Sequence, residues 1–100
     1  MENTKIVDLI KKIADERDER AFSEIFDFIA PKINAYYKKH NLNKEQAEEL
    51  TQEVLSTIWI KARLFNPKKS KFITWCFTIA RNKKIDFYRK SKKIDVNEDD

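Results

Sequence analysis

Not one of the 100 residues is glycine, and only two are proline. A chain without glycine lacks the residue that tight hairpin turns favour, and it cannot build a glycine-rich phosphate loop or a collagen-like repeat. Most tight hairpins and many nucleotide enzymes are thereby excluded. Apolar residues recur at spacings of three and four nearly everywhere, so no segment reads as a strand and the expected class is all-α.

Four helices are predicted. The first carries Ile6, Leu9, Ile10 and Ile13 on one face behind an Asn3 or Thr4 cap, and reads as short and peripheral. The second runs from about Asp18 to His40, with Phe22, Ile25, Phe26, Ile29, Ile33, Tyr36 and Tyr37 on its apolar stripe. Pro31 lies inside it, and its missing N–H predicts a kink or restart near Ala30. Asn41 suits a left-handed C-cap, and Asn43 with Gln46 forms a capping box that opens the third helix.

The third helix places Ala47, Leu50, Val54, Ile58 and Ala62 on its core stripe, widened by Leu55 and Trp59, and its first half is acidic. Pro67 is expected to stop that helix, residues Asn66 to Ser70 to form a loop, and Ser70 to cap the next helix. The fourth spans about Lys71 to Lys90. At 100° per residue it buries Phe72, Ile73, Cys76, Ile79, Ala80 and Phe87. Lys71, Thr74, Thr78, Arg81, Asn82, Ile85 and Arg89 lie opposite, with Trp75 at the border. Lys83 falls on the core face and must snorkel to its edge. The expected architecture is a small bundle of three main helices plus a short N-terminal one, over residues 1–93, followed by an acidic tail or interdomain linker at 94–100.

Charge is unevenly spread. Residues 1–63 hold eleven Lys/Arg against twelve Asp/Glu, residues 64–93 hold ten Lys/Arg against Asp86 alone, and residues 94–100 carry four acids. Such a basic block is the electrostatic footprint of a polyanion, although a solvated charged face is the plain alternative. A lone cysteine, Cys76, and a single histidine give neither an internal disulfide nor a zinc ligand set, and no cofactor is expected. No apolar stretch approaches the roughly 20 residues of a membrane span, so a cytoplasmic protein without membrane contact is expected. No nucleophile, base and orienting group stand together, which argues against an enzyme.

Four ordered stretches together resemble region 2 of extracytoplasmic-function sigma factors. They are Ala21-Phe22 leading to Ala30-Pro31; Ala47 to Val54 running on to Trp59 and Phe65; Asn66-Pro67 through Phe72 to Thr74-Trp75; and Ile79 to Asn82 followed by Asp86 and Arg89. Two departures keep the character of their positions: Glu49 stands where aspartate is usual, and Cys76 where leucine is.

The resemblance implies a subunit that binds core RNA polymerase and recognises and melts the promoter minus-ten element. In that family the third helix docks on the beta-prime clamp helices, which assigns Glu49, Gln52 and Glu53 to polymerase binding. The minus-ten non-template strand falls to the loop and last helix: Asn66, Lys68, Lys69, Ser70, Lys71, Trp75, Thr78, Arg81, Asn82, Lys84 and Arg89. Asn82 offers both a donor and an acceptor to a base edge, whereas Arg89 has Asp86 three residues earlier as an alternative partner. Trp75 is divided evenly between packing and strand capture, Trp59 reads as core, and His40 as a solvated helix end.

The resemblance also implies an anti-sigma regulator. It further implies a second domain that reads the upstream promoter element, which this chain lacks, so a fragment unable to direct efficient initiation alone is expected. Two other readings stay open on the residues: a decoy that binds polymerase or a regulator without opening DNA, and a general DNA-binding helical module without polymerase contact.

Overall fold

A computed structural model describes the backbone of residues 1–98 and the side chains of residues 1–91. Among them are four α-helices and no strand: α1 Asn3–Glu16, α2 Glu19–Lys39, α3 Lys44–Lys61 and α4 Phe72–Glu98, with a 3-10 turn at Ala62–Leu64 between the last two.

The apolar spacing of α1 buries Ile6, Leu9, Ile10 and Ile13. Those four seat α1 against α2, and it also touches α3, α4 and the 3-10 turn, so it is built into the core rather than peripheral. Its N-cap is Glu2, which caps with its backbone alone; Asn3 and Thr4 lie inside the first turn. The helix ends on Arg17, which takes a left-handed φ of 52° and donates its N–H to the Ile13 carbonyl over 3.1 Å. Arginine fills the role glycine would otherwise serve.

Asp18 then caps α2, its carboxylate accepting from the N–H groups of Arg20 and Ala21 at 2.9 and 3.0 Å. Ile25, Ile29, Ile33 and Tyr37 form the buried stripe, while Phe26 is 39% exposed and Phe22 and Tyr36 are half-buried. The helix continues through Pro31 without a restart. Pro31 and Asp27 both face solvent, so water can satisfy the carbonyl that loses its partner.

Asn41 takes the expected left-handed conformation at φ 71°. The Asn43–Gln46 box forms as well, with reciprocal bonds of 2.8 and 3.0 Å. Along α3, Ala47, Leu50, Val54, Leu55 and Ile58 are buried. Trp59 is at the edge of the core rather than in it: half-buried, edge-on to Phe22 and covered by the Arg17 guanidinium 4.0 Å from the ring centroid. The helix ends at Lys61, before Pro67 can act, by tightening into the 3-10 turn that buries Ala62.

Helix α4 begins with the Trp75 N–H donating to the Lys71 carbonyl over 3.1 Å, which makes Lys71, not Ser70, the N-cap. Phe72, Cys76 and Ala80 are buried, Ile79 and Phe87 half-buried, and Ile73 is 39% exposed instead of facing the core. Ile73 is a full 100° around the helix from Phe72, beyond the strip that α2 and α3 cover. Lys83 is half-buried at the core edge, as a snorkelling lysine must be. The helix runs past Lys90 to Glu98; of the acidic tail, Asp99 and Asp100 lie outside the described residues.

Candidate functional site

The three acidic or amide side chains expected on one surface of α3 divide between two. Gln52 joins Glu48 and Thr51 across from Phe26, Ala30 and Pro31 of α2, lining a shallow, mostly apolar groove. Glu49 and Glu53, one turn apart, point the other way and share a groove with Lys83, Asp86 and Lys90 of α4. Successive helix positions differ by 100°, so Gln52 and Glu53 necessarily diverge. All three are exposed and available to a partner.

Asn66 organises the loop before α4. Its side-chain oxygen accepts from the Lys68 N–H at 2.9 Å, and its carbonyl accepts from the N–H groups of Lys69 and Ser70 at 3.0 and 3.3 Å. These bonds fix the turn that leaves Lys68, Lys69 and Lys71 exposed in succession, with Ser70 half-buried among them. Asn66 is thus a structural member of the loop, its amide oxygen already engaged.

Trp75 packs and lines at once. Its ring is 5.4 Å from Phe65 and 6.0 Å from Phe72, yet it also borders a groove of about 420 Å³ together with Thr78 and Asn82. The structure therefore brings three of the expected strand contacts into one cleft. Opposite them stand Lys61 and the 70% exposed Leu64, which the sequence reading did not single out. Leu64 follows a helix end, and nothing local distinguishes it from a core leucine. The Thr78 hydroxyl donates to the Thr74 carbonyl at 2.9 Å and keeps its lone pairs for the cleft.

Arg81 and Arg89 are exposed on the outer face of α4. Lys84 is elsewhere: its ammonium lies 3.4 Å from the His40 Nδ1 and 5.2 Å from the Tyr36 ring centre, while Tyr88 donates to the His40 carbonyl over 2.6 Å. These contacts staple the end of α2 to α4, so Lys84 is a packing residue on the flank rather than a member of the cleft. His40 is the exposed C-cap of α2, as expected of a helix end. In the core, burial pushes the Cys76 thiol above its ordinary range, which keeps it protonated and unreactive. Among the described residues no cluster of ligating side chains could hold a metal ion.

Residues 28–94, two thirds of the chain and including all of α3 and the loop before α4, match the family described as sigma-70 region 2. The chain belongs to the sigma-70 region 2 family. Its relatives place it in the extracytoplasmic-function branch. The ECF RNA polymerase sigma factor RpoE of Cereibacter sphaeroides is 45% identical over 92 residues, covering 92% of this chain and 51% of that protein. The ECF RNA polymerase sigma factor SigK of Mycobacterium bovis is 26% identical over 81 residues, or 81% of this chain and 43% of that protein. Among solved structures, Rhodobacter sphaeroides SigE in complex with the anti-sigma ChrR superposes with a TM-score of 0.77 at 45% identity, covering 82% of this chain and 47% of that one. This region 2 chain thus spans about half the length of the relatives it matches. Among the described residues, no helix of the sigma domain is long and apolar enough to cross a membrane.

Proposed function

We propose that this domain binds core RNA polymerase through α3 and holds the unpaired non-template strand of the promoter minus-ten element along the α3–α4 cleft and the loop before it. The observation that carries the reading is the presence of two unlike surfaces on one bundle, which meet at Lys83 and Asp86. Exposed Glu48, Glu49, Gln52 and Glu53 present acceptors on α3, while Lys61 and Lys83 line a cleft with Trp75 and Asn82, and Lys68, Lys69, Lys71, Arg81 and Arg89 are exposed on the loop before α4 and on α4 itself. Carboxylates suit the basic side chains of a protein partner; cations, an indole and an amide suit phosphates and an unstacked base.

The role is one of binding, with no substrate turned over. The groove beside Gln52, apolar at Phe26 and Pro31, also suits the helix of an anti-sigma regulator, and the neighbouring SigE structure is of a sigma factor held by the anti-sigma ChrR. Work of this kind is done in the cytoplasm.

The test is an amide-shift titration of the labelled domain, first with a beta-prime clamp-helix fragment and then with minus-ten non-template single strand at fixed salt. Shifts at Gln52 and Glu53 with the first, and from Asn66 to Asn82 with the second, support the reading. A response to the fragment alone indicates an interaction module that does not capture DNA, and a response to neither overturns it.

A further inference from the structure

The chain's one histidine, His40, is held in a contact that only its neutral form can make. Lys84 carries an ammonium, which donates and cannot accept. Its approach to 3.4 Å from the His40 Nδ1 therefore requires that nitrogen to be unprotonated, with the ring proton on Nε2. Around the ring stand Lys84 and Tyr88 from α4, Tyr36 one turn back on α2, and the exposed Lys38 and Lys39 beside it in sequence. A second proton on the imidazole brings two cations side by side, a repulsion above thermal energy even at the dielectric of water.

Of the two, the lysine is the one free to leave. The His40 N–H donates to the Tyr36 and Tyr37 carbonyls, each over 3.1 Å, and its carbonyl accepts from the Tyr88 hydroxyl over 2.6 Å. Its ring rests against Tyr36 with centroids 4.5 Å apart, and Tyr36 is in turn edge-on to Phe77 at 5.4 Å. Lys84 is held at its tip by the imidazole nitrogen and by the face of Tyr36, 5.2 Å away, and an imidazolium takes up that face itself.

We propose that His40 is a proton-operated latch: neutral, it keeps Lys84 docked on α2, and protonated, it releases the Lys84 side chain to the solvent side of α4. Arg81, exposed three residues earlier, is the released lysine's neighbour on the helix surface. The freed ammonium then adds one cation to the strand-holding surface proposed above; this consequence rests on that reading, whereas the latch does not. Imidazole is the side chain whose ordinary titration falls between about pH 5 and 8, so modest acidification suffices to operate it.

Two measurements on the full chain test the latch, with the helicity of every variant checked by circular dichroism. The first is the NMR cross-relaxation between the Lys84 ε-methylene and the Tyr36 ring, followed from about pH 7.5 to about pH 5.5 alongside the single imidazole titration. It is expected at the higher pH, to fade as the His40 ring protonates, and to be the same at both in His40→Gln. A signal missing at the higher pH, or persisting through the ring titration, overturns the latch. The second is anisotropy with oligo(dT) over a salt series at the same two pH values. The slope of log affinity against log salt should steepen by about 0.7 on acidification of wild type, one further phosphate contact on a single strand. Neither Lys84→Ala nor His40→Gln should show that gain. Steepening that survives in Lys84→Ala assigns the added charge to His40 itself and overturns the release of Lys84. If oligo(dT) binds at neither pH while the NMR signal follows the ring, the strand-holding role fails and the latch stands.

Discussion

The Tyr37 hydroxyl donates to the Ala80 carbonyl over 2.8 Å, a bond between α2 and α4 across 43 residues of sequence with the tyrosine fully buried. It fixes the angle at which the cleft-bearing helix leaves the bundle. Tyr37→Phe should lower stability by about 1 kcal/mol, read as a melting temperature drop of about 4–8 °C for a domain of this size. A shift of under a degree would mean that ring packing alone sets the contact.

The same burial raises the Tyr37 phenol above its ordinary value of 10.0, with Tyr36 and Glu53 adding to the effect. The sign follows from linkage. Below pH 10.0 both folded and unfolded chains hold the proton and the stability is complete; above it the unfolded chain ionises first and the folded state loses ground. Urea midpoints should therefore fall as pH rises past 10.0, less steeply in Tyr37→Phe than in wild type.

Cys76, fully buried with its thiol raised by desolvation, should resist alkylation in the native state. Maleimide labelling followed by mass spectrometry should track unfolding along a urea series. Rapid labelling in buffer alone would show that α4 detaches from the core without global unfolding.

The exposed loop lysines should contribute to strand binding as point charges. For single strands each neutralised phosphate adds about 0.7 to the slope of log affinity against log salt. Lys68→Ala with Lys69→Ala should then flatten that slope by about 1.4, while Lys84→Ala should leave it unchanged and instead loosen the contact with His40. Anisotropy titrations at several salt concentrations measure both.

The division of the α3 side chains makes Gln52 and Glu53 distinguishable. Gln52→Ala should weaken binding of a beta-prime clamp-helix fragment by about 1 kcal/mol without altering strand affinity. Glu53→Gln should weaken the fragment similarly and also raise strand affinity at low salt, because Glu53 shares its groove with Lys83 and Lys90. Calorimetry with each partner separates the two variants.

Much of the fold was legible because it is written locally. Ile25, Ile29, Ile33 and Tyr37 recur every four residues, Asn43 and Gln46 are a capping pair by spacing alone, and Asn41 is a residue that tolerates the left-handed region. The cleft was legible in part: Trp75, Thr78 and Asn82 share a flank of one helix, and helical period suffices to unite them. The rest depends on what lies across from a residue. Lys84 resembles any basic α4 side chain until α2 delivers His40, 44 positions away, to within 3.4 Å. Leu64 resembles a core leucine until the 3-10 turn carries it outward, and Gln52 and Glu53 look like neighbours until α2 and α4 claim opposite sides of α3. At Pro31 the alternative of a restart is excluded because the helix runs on, the solvent-facing Asp27 carbonyl leaving its lost partner to water.

Lys83 and Asp86 border both the groove of Glu49 and Glu53 and the cleft of Trp75 and Asn82. In genetic terms these two positions are pleiotropic: a substitution selected for a new promoter preference will also alter the face turned toward polymerase. Lineages that retarget such a domain should therefore change Asp86 together with positions 49 or 53, whereas Asn82 and Leu64, which border the cleft and not the Glu49–Glu53 groove, remain free to vary alone.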